Sequence, residues 1–100
     1  MNKKLFETRC YNLKTGMGNK FHELVHSWSI PLHKEFNIDV IKYGQSLDNP
    51  DVYYLIRAFK NEDHLKDSLD NFYNSQEWKQ GPREEIISCI DSDISFLYWD

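Results

Sequence analysis

From Leu5 to Leu13, β-favouring and aromatic residues are interleaved with polar ones, the pattern of a strand, and Lys14-Thr15-Gly16-Met17-Gly18 then supplies a turn. The period next lengthens to between three and four. Phe21, Leu24, Val25, Trp28, Leu32 and Phe36 make one apolar stripe, which predicts an amphipathic helix. Asn19 stands where its side chain can accept a bond from an unpaired N–H of the first turn. Pro31 lacks an N–H and predicts a kink or short break near Ser29-Ile30. A second strand runs from Ile38 to Leu47 and ends at the turn Asp48-Asn49-Pro50-Asp51. The third, Val52 to Phe59, is the most apolar stretch of the chain. Asn61-Glu62-Asp63 then opens a helix, with a cap followed by two acids at the positive end of the helix dipole. Leu65, Leu69, Phe72 and Tyr73 form its buried stripe. Ser75 caps a further turn through Trp78, Gly81-Pro82 interrupts, Arg83 to Ile90 reads as helix, and Ile94 to Trp99 is the last strand.

The order β-α-β-β-α-β is that of an α+β, ferredoxin-like fold: a four-stranded antiparallel sheet with helices on one face. The uncovered face of such a sheet should be polar. The third strand does not comply. Tyr53, Leu55, Arg57 and Phe59 line one face, Tyr54, Ile56 and Ala58 the other, and the last strand is likewise apolar on both sides. Two helices cannot cover both faces, so a second subunit is expected over the open one, as a C2 homodimer packed sheet against sheet.

Composition narrows the class. A chain of 100 residues makes one domain, residues 1–100. With 15% aromatic residues it can bury a core, which excludes intrinsic disorder. No apolar run approaches the ~20 residues of a membrane span, and a net charge of -4 argues against nucleic acid as a partner. Cys10 and Cys89 lack metal or redox spacing and read as small hydrophobes. Met1 to Lys4 runs directly into a strand without a signal segment, so a cytoplasmic location is expected.

Several stretches, in order, resemble the NIPSNAP family of the dimeric α/β-barrel superfamily. Tyr11-Asn12-Leu13-Lys14-Thr15-Gly16 resembles its opening "Y-x-L-K-x-G". Pro31-Leu32 late in the first helix, Ile38-Asp39-Val40-Ile41 in the second strand and the Asp48-Asn49-Pro50 turn follow. A "Y-x-L-x-A-F"-like strand spans Tyr53 to Phe59, and Ser75-Gln76-Glu77-Trp78 resembles the "D-P-E-W" box. The resemblance covers Phe6 to Tyr98. Two departures stand out. Phe36-Asn37 replaces a common His-Gly, a turn that Asn can still make, and Gly81-Pro82 breaks a segment that is usually an unbroken helix. The resemblance implies a small cytoplasmic or mitochondrial homodimer with a cavity between helices and sheet. Its superfamily includes cofactor-free monooxygenases, haem-degrading oxygenases and isomerases, so fold alone selects no reaction.

Candidate chemistry is sparse. His22 and His26 are an i, i+4 pair, with His33 seven residues on, but no HExxH or Cys completes a zinc site, and no metal is expected. Either of the pair could serve as a base, since an imidazole's ordinary pKa of ~6.5 suits proton transfer near neutrality. Arg57 interrupts the most apolar strand and needs a partner, either Glu7 or Asp39 on a neighbouring strand. Otherwise it meets an anionic ligand or lies at a subunit interface with Arg9. Tyr11, Trp28, Tyr53 and Trp78, together with Phe59, Phe72 and Trp99, could line a flat hydrophobic cavity or simply fill the core. Gly16-Met17-Gly18 lacks the third glycine and the Lys-Ser/Thr of a phosphate loop.

Two functions follow. One is a homodimer that binds a small apolar or aromatic molecule through Tyr11, Trp28, Tyr53, Arg57 and Trp78, without cofactor or catalysis. The other is a cofactor-independent monooxygenase-type enzyme on an aromatic or quinone-like substrate. His22 or His26 would be its base, with Tyr53 or Arg57 stabilising an enolate oxygen. Haem binding is a third option, visible as a Soret band on titration with haemin.

Overall fold

The strands form where the apolar pattern places them, with shifted ends. β1 (Leu5–Leu13), β2 (Asp39–Gln45), β3 (Val52–Phe59) and β4 (Ile90–Trp99) make one antiparallel sheet in the order β2-β3-β1-β4. This computed structural model describes residues 3–100. β4 starts four residues before the expected Ile94. Ser92 and Asp93 continue the ladder opposite Asn12 and Tyr11, so pairing to β1 overrides their poor strand propensity.

The first helical run is continuous from Gly18 to Glu35: α1 (Gly18–Leu24), a π-helical turn (Val25–Ser29) and α2 (Ile30–Glu35). Pro31 sits in the first turn of α2, and the expected break is taken up by the widened turn before it. Asn19 is not the cap. The helix starts one residue earlier, and the Asp51 carboxylate accepts from the N–H groups of Gly16 and Gly18 at 3.0 and 2.9 Å. A side chain at Gly18 would place its Cβ 2.0 Å from the Pro50 carbonyl oxygen, so only glycine lets this loop close over the helix start. Asn37 leaves α2 with φ 58°, and the Ile38 and Asn37 N–H groups bond back to His33 and Lys34. This is the left-handed helix stop expected of Asn there.

The second helical layer is in three pieces, α3 (Glu62–Tyr73), α4 (Gln76–Gln80) and α5 (Arg83–Ser88). Asn61 and Ser75 cap α3 and α4 as expected, accepting from His64 and Trp78 at 2.8 and 3.1 Å. All helices lie on one face of the sheet, where Leu5, Tyr11, Leu13, Tyr53, Leu55 and Phe59 are buried against Phe21, Val25, Phe72 and Ile86. The other face carries Phe6, Tyr54 and Ile56, half-buried, and Ile94, Phe96 and Tyr98, which are 66%, 51% and 39% exposed. The helices also stop short of β4, leaving Leu97 and Trp99 on their own side uncovered.

Candidate functional site

Antiparallel register sets Glu7 of β1 directly opposite Arg57 of β3, both facing the helices. Arg57 is fully buried, and it resolves its charge with three side chains. Its Nε donates to Glu7 Oε1 at 2.7 Å, and Nη1 donates to Tyr73 Oη at 3.0 Å and to His33 Nε2 at 3.1 Å. Nη2 lies 2.6 Å from the same Glu7 oxygen without the alignment of a hydrogen bond. Of the two expected partners the structure selects Glu7. Asp39 pairs in register with Ala58, on the opposite face from Arg57, and meets Lys4 at 3.5 Å near the surface instead.

His33 is held in one tautomer. Nδ1 lies 2.6 Å from the Ser29 carbonyl oxygen and donates to it, which leaves Nε2 to accept from Arg57. Burial, and then the Arg57 charge, push the imidazole down to about 4, so it is neutral at pH 7. The ring sits 4.3 Å from that of Phe72, whereas those of His22 and His26 stack on each other 5.9 Å apart. The three histidines thus do not converge, and among the described residues no group of three or more His, Cys, Asp and Glu side chains could hold a metal ion.

Two and four residues further along β1, Arg9 and Tyr11 face the same way as Glu7 and form the floor of a groove of about 370 Å³. The walls come from the broken helical layer. Tyr73 ends α3, and the Ser75 cap sets Trp78 edge-on to it, with ring centroids 5.3 Å apart. Arg83, Ile86 and Ile87 of α5 close the far side, and Ile90 opens β4 beneath them. The Gly81-Pro82 interruption is what separates α4 from α5 and turns α5 over the groove. Arg9 pairs with Asp93, stands 5.4 Å from the centre of the Tyr11 ring, and keeps a buried Nε without a partner. Burial pushes the Tyr11 phenol up to about 12, so it stays protonated.

The remaining candidates lie elsewhere. His22 Nδ1 meets Tyr53 Oη, and His26 Nδ1 meets Tyr43 Oη, each at 2.6 Å, in two parallel pairs between the first helical run and β2–β3. Burial, then the neighbouring Tyr43, raise the Tyr53 phenol above its ordinary value. Neither imidazole borders the groove. Trp28 is 57% exposed on the outer side of the first helical run, against Gly81. Of the five residues expected to bind a ligand, the structure brings Tyr11 and Trp78 together in the groove, links Arg57 to it through Tyr73, and leaves Tyr53 and Trp28 apart. Tyr73 and Arg83 were not singled out for binding. Phe72-Tyr73 held the one available signal: of two adjacent aromatics at a helix end, only one can point at the sheet. Phe72 does, and Tyr73 turns to the groove. Cys10, half-buried on β1, and Cys89, buried after α5, are both unpaired thiols.

No protein-family model and no curated protein matches the chain. Solved structures do. A NIPSNAP family protein of unknown function from Agrobacterium tumefaciens str. C58 superposes with a TM-score of 0.90 at 19% identity, over 99% of this chain and 89% of that one. A second NIPSNAP family protein from the same organism gives 0.89 at 15% identity, over 97% and 85%. An uncharacterized NIPSNAP domain protein from Burkholderia xenovorans gives 0.84 at 12%, over 94% and 91%. The chain therefore has the fold of NIPSNAP family proteins, the α+β, ferredoxin-like arrangement its element order implies.

Proposed function

We propose that this chain is a NIPSNAP-type protein that acts as a cytoplasmic homodimer, and that each protomer binds a small apolar or aromatic molecule in the groove between α3–α5 and the sheet. The groove is the observation that carries this reading. Elsewhere between helices and sheet the space is filled by Phe21, Tyr53, Phe72 and their neighbours, whose rings meet at 4.9 to 5.7 Å. Beside Trp78 the filling stops, and three isoleucines, two tyrosines and that tryptophan leave room for a guest of one or two rings. The homodimer reading rests on the open face, where the centre of the sheet presents Phe6, Tyr54, Ile56 and Phe96 with no charge among them. A twofold sheet-to-sheet contact would bury it.

The catalytic alternative, a cofactor-independent monooxygenase with His22 or His26 as base, draws on the two 2.6 Å His–Tyr pairs. It gains nothing from the groove, which neither imidazole lines, or from Arg57, which is fully buried with Nε and Nη1 committed to Glu7, His33 and Tyr73. Binding is therefore the better-supported reading. Titration with the neutral dye Nile red tests it: saturable binding near one dye per protomer is expected, and Ile87→Glu, which puts a charge on a partly exposed wall residue, abolishes it. Dye uptake unaffected by Ile87→Glu, or no uptake at all, would remove the proposal.

A further inference from the structure

We infer that the groove selects a guest carrying one negative charge, an aromatic carboxylate or enolate, with the anionic oxygen held between Arg83 and the Tyr73 hydroxyl. This rests on the groove being a binding site and adds the class of its ligand. The chain as a whole is acidic, at -4, yet the residues lining the groove include two arginines and no carboxylate. Their charges are not equivalent. Arg9 is neutralised in part by Asp93, which holds one end of its guanidinium and leaves the buried Nε unused. Arg83, on the first turn of α5, makes no ion pair among the described residues. It is the charge left for a guest.

Tyr73 supplies the second contact. Its oxygen already accepts from Arg57 at 3.0 Å, so the hydroxyl hydrogen is left for an acceptor outside the buried layer. Donation from the Arg57 guanidinium, 5.8 Å from the Tyr73 ring, also polarises that O–H and strengthens it as a donor. Glu7 and His33 keep Arg57 in place, which makes Arg57 a positioning residue for Tyr73 rather than a ligand of the guest. Apart from Arg9, the rest of the lining is Tyr11, Trp78, Ile86, Ile87 and Ile90, which suit a ring system. A neutral apolar guest would leave the Arg83 charge and the Tyr73 donor unanswered; an anionic one answers both.

The probes are a matched pair of equal shape, 2-naphthoate and 2-naphthamide, titrated into the purified chain by tryptophan fluorescence and by calorimetry. The naphthoate is expected to bind at least about tenfold more tightly, the increment of a charge-assisted contact. Arg83→Gln and Tyr73→Phe each remove most of that preference, weakening naphthoate binding more than naphthamide binding. Lys79→Gln, which removes one charge from a neighbouring exposed position outside the groove, leaves the preference intact. Equal binding of the two probes, or a preference that survives Arg83→Gln, overturns the charge selection while the apolar groove stands. Failure of both probes to bind overturns the groove as a binding site along with it.

Discussion

The two faces of the sheet invert the usual distribution. The face beneath the helices carries an arginine and a glutamate that, with a histidine of the helix above them, are between 0% and 5% exposed, whereas the bare face carries Ile94 and Phe96 at 66% and 51%. Charge is normally kept in water and apolar surface out of it. The covered face tolerates its charges because they are matched: Glu7 answers Arg57, and His33 and Tyr73 take up further guanidinium donors. The bare face has no comparable answer within the protomer. What the contrast teaches is that burial alone does not identify a finished surface. The buried charges are matched within one chain, whereas the apolar face is left open in it.

The largest effect is expected from breaking the covered face. Glu7→Ala leaves the Arg57 guanidinium buried without its counter-charge and should cost about 3–5 kcal/mol in urea unfolding at fixed protein concentration. The double change Glu7→Leu with Arg57→Met should recover most of that loss, because it removes the stranded charge as well. A double variant as unstable as Glu7→Ala would mean that the pair contributes net stability rather than matched desolvation.

Acid should reach the same layer through His33. Its folded value of about 4 lies below the 6.5 of an unfolded imidazole. Between those two values the unfolded chain takes up a proton that the folded chain refuses, so stability falls as pH falls from 6.5 toward 4, by of order 3 kcal/mol in all. His33→Gln, which keeps a polar group at the site, should flatten that slope. An unchanged slope in the variant would place the acid sensitivity elsewhere.

The open face answers to a smaller perturbation. Ile56→Lys puts one charge in its centre and should cost the protomer about 1 kcal/mol or less, since the site is only half-buried. Sedimentation should nevertheless show the mass drop from twice 12.0 kDa to 12.0 kDa, because the same lysine repeats across a twofold interface. Wild-type protein sedimenting at 12.0 kDa would break the comparison itself.

Local chemistry was readable residue by residue. Asn61 and Ser75 cap the helices they precede, Asn37 takes the left-handed turn, and the stripe of Leu65, Leu69 and Phe72 faces the sheet. Each depends on groups within a few positions, so spacing suffices. The first helix start was misread for the complementary reason. Its cap comes from Asp51, 33 residues away from Gly18, and no local pattern announces it. The site divided the same way. Tyr11 and Trp78 both line the groove, yet Trp28, on the same apolar stripe as Phe21, lies outside it. A stripe on a helix is wider than the contact it makes, and its margin can face water.

The one-dimensional pattern was enough for the element order and, through the two-sided apolar character of β3 and β4, for a sheet whose second face is apolar. Both are properties of period and composition, and both are carried by the backbone's own geometry. Which charge answers Arg57, where the helical layer opens and which tyrosine lines the opening were settled only by packing. Strand register chose Glu7 over Asp39, and the break at Gly81-Pro82 separates α4 from α5, which shares a groove with β1. These outcomes depend on which segments far apart in the chain end as neighbours, and distance along a sequence carries no measure of that.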